Sequence, residues 1–270
     1  MILQVDATLD NNSWNTISLV SASGKAANYW KVGDAKIIVL DGLIGRLTLN
    51  NYSIRCFIIG IDHNSDVEGT NRIHFLIGET TSFLFPKDIC LYDNFYDKID
   101  SASNAGFVMN KTLTNSGGWE NSYMRNFICG TSLSNYYRTF IGAISTELRT
   151  VLKPVAKYTD NTGESSETES KITKTTDYSF LLSEFEVYGK VSYSNRYEAR
   201  KQKQYSYYSA GNSKLKWGYS DQNAAYKWWL RSVQTTALYE FLTVPAIKNA
   251  QNALPASAYV SYGFAPAFCV

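Results

Sequence analysis

Long apolar runs are missing from this chain. No stretch reaches the ~18 consecutive apolar residues that a membrane helix needs, so insertion into a bilayer is not expected. Paired cysteines are missing too. Cys56, Cys90, Cys129 and Cys269 are widely spaced, with no C-x-x-C. That removes the usual zinc and dithiol patterns and leaves free buried thiols as the expectation. Neither charge sign is in excess: 26 basic residues face 24 acidic ones, net +2, which argues against a nucleic-acid partner. The first ten residues carry Asp6 and Asp10 and no basic residue, unlike a secretion signal, so folding in a cytoplasm is expected. Ser183 and Ser232 lack a G-x-S-x-G setting, Gly117-Gly118 belongs to no phosphate-binding fingerprint, and no fixed-period repeat exists. Histidine is scarce. His63 and His74 flank one predicted hairpin without a third ligand at a recognisable spacing. No metal, cofactor or enzymatic activity is therefore expected.

What is present is aromatic. Aromatics make up 14% of the 270 residues, and 20 are tyrosine. Tyr226-Lys227-Trp228-Trp229-Leu230-Arg231-Ser232 and its expected partner, the run from Ser261 to Val270, read as short strands around which the chain is organised. Alternation sends the rings of Trp228 and Trp229 to opposite faces, one into the core and the other toward a second layer or a ligand, and Arg231 shares the face of Trp229. Further strands are expected over 35–40, 46–49, 53–61, 72–77 and 180–182, with Asp41-Gly42 as a turn. A helix is expected from Trp119 through Cys129, with Tyr123, Phe127 and Ile128 on its face. Another starts at Ser145 and ends by Pro154. Ser183-Glu184-Phe185-Glu186 has capping-box spacing, with Gly189 as the stop. The polar stretch 159–177 reads as an exposed insertion loop. Strands dominate and helices fall in the middle third, which predicts one α+β domain over residues 1–270, mainly antiparallel.

Three constellations carry possible chemistry. Asp62, Asn64, Asp66 and Glu68 alternate as oxygen ligands do at the start of a calcium loop. However, Val67 replaces the expected glycine and Ile73 the closing acid, so a solvated hairpin turn is set against a bound cation. Glu184 and Glu186 would make a carboxylate pair, but the capping box gives them a structural task. The stretch from Tyr205 to Tyr226 mixes flat rings with small polar groups, the composition of a sugar- or protein-binding surface; cross-strand aromatic packing is the alternative.

Several ordered motifs add a resemblance. They are Asn28-Tyr29-Trp30-Lys31-Val32-Gly33-Asp34, Gly117-Gly118-Trp119 with Met124-Arg125, Leu148-Arg149 to Lys153-Pro154, Leu181 to Gly189, Trp229-Leu230-Arg231-Ser232, and Gly263-Phe264-Ala265-Pro266-Ala267-Phe268. In that order they resemble a domain-of-unknown-function family abundant in phages and prophages of gut Firmicutes. Its C-terminal elements are similar to the C-type-lectin fold, in the form shared with formylglycine-generating enzymes and retroelement-diversified proteins. The resemblance implies a C-type-lectin-like scaffold with a ligand-binding face near the C-terminus. Ala265 stands where many relatives have arginine, and only Cys269 lies where the enzymatic branch has a cysteine pair, so that activity is not carried over. The expectation is a virion surface protein (tail, baseplate, fibre or head decoration), oligomeric, with other virion proteins and a host-surface glycan or protein as partners. The expected contacts are Tyr207, Tyr208, Trp217, Tyr219, Asp221 and Asn223, with Trp229 and Arg231 as a floor. The alternative is a purely structural virion connector.

Overall fold

The structure is a computed structural model and describes residues 4–81, 86–92 and 107–270. Its strands in chain order are β1 (Ala35–Ile44), β2 (Leu47–Ile61), β3 (Ile73–Glu79), β4 (Ile89–Cys90), β5 (Val155–Asp160), β6 (Ile172–Asp177) and β7 (Ser179–Phe180). They continue as β8 (Lys216–Gly218), β9 (Ala225–Tyr226), β10 (Trp228–Val233), β11 (Glu240–Val244), β12 (Leu254–Ser257) and β13 (Ala267–Cys269). The helices are short: α1 (Trp14–Ala22), α2 (Ser65–Glu68), α3 (Phe140–Ala143), α4 (Thr146–Val151), α5 (Glu184–Tyr188) and α6 (Ser206–Ser209). The fold is α+β with antiparallel sheets, including a curled half-barrel.

The largest sheet runs β1-β2-β3-β13-β7. The C-terminal strand lies inside it, antiparallel to β3 at Phe268↔Phe75 and to β7 at Phe268↔Ser179. The C-terminal run is thus paired inside a sheet, but not with its expected partner: the Tyr226–Ser232 run pairs with it only in the isolated Trp228–Gly263 bridge, and β10 pairs with β11. α1 covers this region: Trp14 meets the rings of Phe75 and Phe268 edge-on at 5.4 and 5.9 Å. Ser13 caps α1 by accepting from Thr16 N, and Ser145 caps α4 in the same way through Leu148 N.

Local expectations were met unevenly. The capping box at Ser183 and Glu186 is complete, and Gly189 ends α5 at φ 67°. Asp41-Gly42 is not a turn but an irregularity within β1, between Leu40 and Gly42. The two strands predicted on either side of residues 50–52 are one continuous β2, because the turn falls at Gly45-Arg46 instead. The helix expected from Trp119 forms only over Met124–Cys129, as a π-helix, and Phe127 on its predicted inner face is 61% exposed.

Residues 159–177 are not an exposed insertion. β5 and β6 pair antiparallel from Val155↔Asp177 to Asp160↔Ile172, and Thr159, Asp160, Thr175 and Asp177 are buried. The exposed polar residues lie at the tip between the strands and along β6, at Thr173, Lys174 and Thr176. Its polar composition hid inward side chains that bond within the protein: Asp177 accepts from Trp119 Nε1 at 3.0 Å, Arg125 Nε at 2.7 Å and Thr175 Oγ1 at 2.7 Å.

Candidate functional site

The interior holds an ionic cluster assembled from elements far apart in the chain. Lys157 stands on the inward side of β5, at a position where alternation would place an apolar residue. Its Nζ donates to Glu68 Oε2 of α2 at 2.7 Å, to Glu186 Oε1 of α5 at 2.9 Å and to the Tyr205 hydroxyl at 3.0 Å. Arg231 of β10 grips Glu186 with both terminal nitrogens, at 2.5 and 3.0 Å. Its remaining reach goes to Thr159 Oγ1 and the Leu181 carbonyl, each at 2.7 Å. His63 stacks on Tyr205 at 3.7 Å, and His74 Nδ1 lies 3.1 Å from the Tyr205 hydroxyl. Every one of these side chains is buried.

Two carboxylates against an ammonium and a guanidinium leave no net charge, the condition for tolerating ions in a low-dielectric interior. The titration of each group follows from this packing. Burial opposes ionisation of Glu186, yet Arg231 and Lys157 prevail and hold its carboxyl far below the usual range. Burial raises Glu68 against the pull of Lys157. Burial, with Lys157 next, depresses His63 to about 3 and His74 well below its usual value, so both rings are neutral. Burial and the two carboxylates keep the proton on Tyr205.

Ligand atoms of His63, Glu68 and Glu186 all lie within 4.8 Å of one another. The position between the two carboxylates is taken by Lys157 Nζ, however, and Arg231 already neutralises Glu186. As placed, the set does not fit a divalent ion. The Asp62–Glu68 loop does not form a calcium cradle either. Asp62 accepts from Arg72 N, Asn64 donates to the Lys201 carbonyl, Asp66 is exposed beside Lys203, and Glu68 turns inward.

A second buried carboxyl adjoins the first group. Glu198 accepts from Asp160 N at 3.1 Å and Ser232 Oγ at 2.8 Å, and burial pushes it up to about 7. Glu184 receives three backbone N–H groups from Ser192, Tyr193 and Ser194, besides the Ser194 hydroxyl. Ser183 and Ser232 are hydrogen-bonded within this framework.

The predicted contact residues separate into two groups. Trp229 and Arg231 are fully buried and cannot form the floor of a surface site. Of the two alternatives for the second face of β10, a further layer or a ligand, the structure has the layer: all its residues are covered, Trp229 Nε1 donating to the Phe107 carbonyl at 2.6 Å. Tyr208 is also buried, at 3% exposure. Tyr207 is half-buried and rests on Phe57 of β2 at 4.8 Å. Trp217, Tyr219, Asp221 and Asn223 do come together, around the turn from β8 to β9. Trp217 and Tyr219 are half-buried, and Asp221 and Asn223 exposed. The turn is closed by Gly218 N to Ala224 O at 3.1 Å and by Asp221 Oδ1 accepting from Asn223 N at 2.9 Å.

Residues 91–270 match the model of a family described as a domain of unknown function, DUF6273. The chain belongs to the DUF6273 family. No curated protein and no solved structure matches it. The DUF6273 span contains Lys157, Glu186, Tyr205 and Arg231 and the whole β8–β9 turn, whereas His63, Glu68 and His74 precede it. The ionic cluster therefore ties the DUF6273 region to the N-terminal strands.

Sequence reasoning missed three participants. Lys157 lay at the edge of the stretch taken for a loop, and nothing in V-A-K-Y-T-D marks a buried ammonium. Tyr52 meets Tyr219 edge-on at 5.5 Å, and Lys87 stands 5.0 Å over the Trp217 ring while donating to the Gln222 carbonyl at 2.6 Å. Both are distant in sequence from the turn they complete.

Proposed function

We propose that this DUF6273 protein is a non-catalytic binding module that engages a host glycan or surface protein through its β8–β9 turn. The observation that carries this reading is a contrast in placement. The clustered ionisable groups Lys157, Glu68, Glu186 and Arg231 are buried and paired with one another. The rings of Trp217, Tyr219 and Tyr52 instead stand half-open beside the exposed Asp221 and Asn223. Flat rings offer a stacking surface, and short polar side chains at their rim offer directional hydrogen bonds.

The setting we infer is the surface of a phage particle, as an oligomer of a C-type-lectin-like scaffold. This rests on the resemblance of the ordered motifs. It draws support from the adjacency of the two C-terminal ones: Trp229 N donates to the Gly263 carbonyl at 3.0 Å. Weak single sites repeated on one particle gain strongly through avidity.

A purely structural connector is favoured by a different observation. Phe127 is 61% exposed and stacks on Tyr123 at 5.1 Å, with Lys111 4.6 Å over the Tyr123 ring. Such a surface suits a neighbouring subunit. Binding of the purified oligomer to host cells and to a glycan array, beside Trp217→Ala and Asn223→Ala, separates the two. Saturable binding that folded variants lose supports recognition. Absence of binding, with both faces protected in the assembled particle, supports the connector.

A further inference from the structure

The contact between Lys157 and Glu68 brings an amine and a carboxyl group together at 2.7 Å, with side-chain exposures of 0% and 2%. The Phe180 ring lies 4.3 Å from the same nitrogen. Condensation needs the amine and acid forms of this pair, which differ from the ion pair by one proton crossing the 2.7 Å contact. The second carboxyl nearby is not equivalent to the first. Both oxygens of Glu186 are held by Arg231, and Oε2 also accepts from Ser183 N at 2.9 Å. Glu186 thus remains a carboxylate 2.9 Å from the amine and is not the electrophile.

We propose that Lys157 and Glu68 condense to an intramolecular isopeptide bond. Nζ of Lys157 attacks Cδ of Glu68. The attacking nitrogen passes one proton across the contact to the departing hydroxyl, while Glu186 orients the amine through its 2.9 Å contact with Nζ. The new C–N bond replaces the C–OH bond, and one water leaves. No oxidant, nucleotide or other co-reactant is consumed. Tyr205 is a positioning residue: its hydroxyl lies 3.0 Å from Nζ and 3.1 Å from His74 Nδ1, which aims the amine. Burial raises Glu68 against the pull of Lys157, the direction the condensation needs. The bond would join positions 89 residues apart, α2 to β5, and lock the N-terminal strands to the DUF6273 region. It is a single-turnover reaction of the chain on itself and does not rest on the recognition reading.

The test is the intact mass of the purified full chain under denaturing conditions, followed by peptide mapping. The expected result is a mass lower than the sequence mass by one water, with a branched peptide joining the segment of Glu68 to that of Lys157. Glu68→Ala and Lys157→Met restore the full mass. Glu186→Gln, confirmed folded by circular dichroism, keeps both reacting groups and is expected at full mass as well; loss of water in that variant would overturn the role given to Glu186. A wild-type mass equal to the sequence mass, or a water loss mapped elsewhere, overturns the proposal.

Discussion

Replacing Arg231 by methionine tests whether the ionic cluster organises the interior. Methionine keeps most of the stem volume, so the change removes chiefly the guanidinium. That group makes two bonds to Glu186, one to Thr159 Oγ1 and one to the Leu181 carbonyl. All of them are buried. With Lys157 and Glu68 uncondensed, Glu186 would then remain with Lys157 as its one cationic partner, and the Leu181 carbonyl and Thr159 hydroxyl would lose their donor. Removing one member of a buried pair costs about 3–5 kcal/mol, a large part of the roughly 5–15 kcal/mol that holds a typical domain folded. At roughly 2–4 °C per kcal/mol for chains of this size class, the melting temperature should fall by on the order of 10 °C. Urea and thermal unfolding, followed by tryptophan fluorescence and circular dichroism, would measure this, since Trp228 and Trp229 lie three and two residues from Arg231 in the buried β10. The companion variant is Arg231→Met with Glu186→Gln. It removes the stranded charge while leaving Lys157 paired with Glu68, so it should be more stable than Arg231→Met alone. A single variant within about 1 kcal/mol of wild type would show that the pair is no stronger than a surface one and would refute the reasoning. A double variant no better than the single one would place the cost in packing instead of charge.

Other outcomes follow from the same structure. Trp217→Ala should abolish ligand binding with little loss of stability because the ring is half-exposed, whereas Trp229→Ala should cost about 3–5 kcal/mol because its ring is fully enclosed; paired binding and unfolding curves separate the two. Glu198 has a folded pKa of about 7, above its ordinary 4.5. Its contribution to stability is therefore complete below the unfolded value and is lost as pH rises through the folded one. Glu198→Gln should flatten that part of the pH dependence, read as urea midpoints from acid to neutral pH. Burial pushes Cys90 up to about 12 and the other three thiols higher still. A thiol reagent should label none of the four in the folded protein and all of them in denaturant. Gly118→Ala should destabilise strongly, since the residue sits at φ +52° and a Cβ there would strike the Asp160 carbonyl.

Local chemistry was legible in the chain. The caps at Ser145 and Ser183 and the stop at Gly189 depend on residues within a few positions of one another, so the sequence alone determines them. The strand expected over 53–61 lies within β2, inside the largest sheet, and the dominance of short β-favouring segments marked a mainly antiparallel α+β fold. The aromatic-polar mix of 205–226 left a binding surface and cross-strand packing open, and the fold divides them: Tyr205 and Tyr208 are buried, Asp221 and Asn223 exposed. Tertiary structure decided what depends on which elements meet. Arg231 would have been an open donor fork had β10 kept one free face; with both faces covered it became the clamp on Glu186. Lys157 sits in a polar stretch and became the centre of the interior because Glu68 and Glu186 arrive from α2 and α5 to neutralise it. A sequence records which side chains can ionise, but the cost of burying an ion is set by partners that only the completed fold brings within 3 Å.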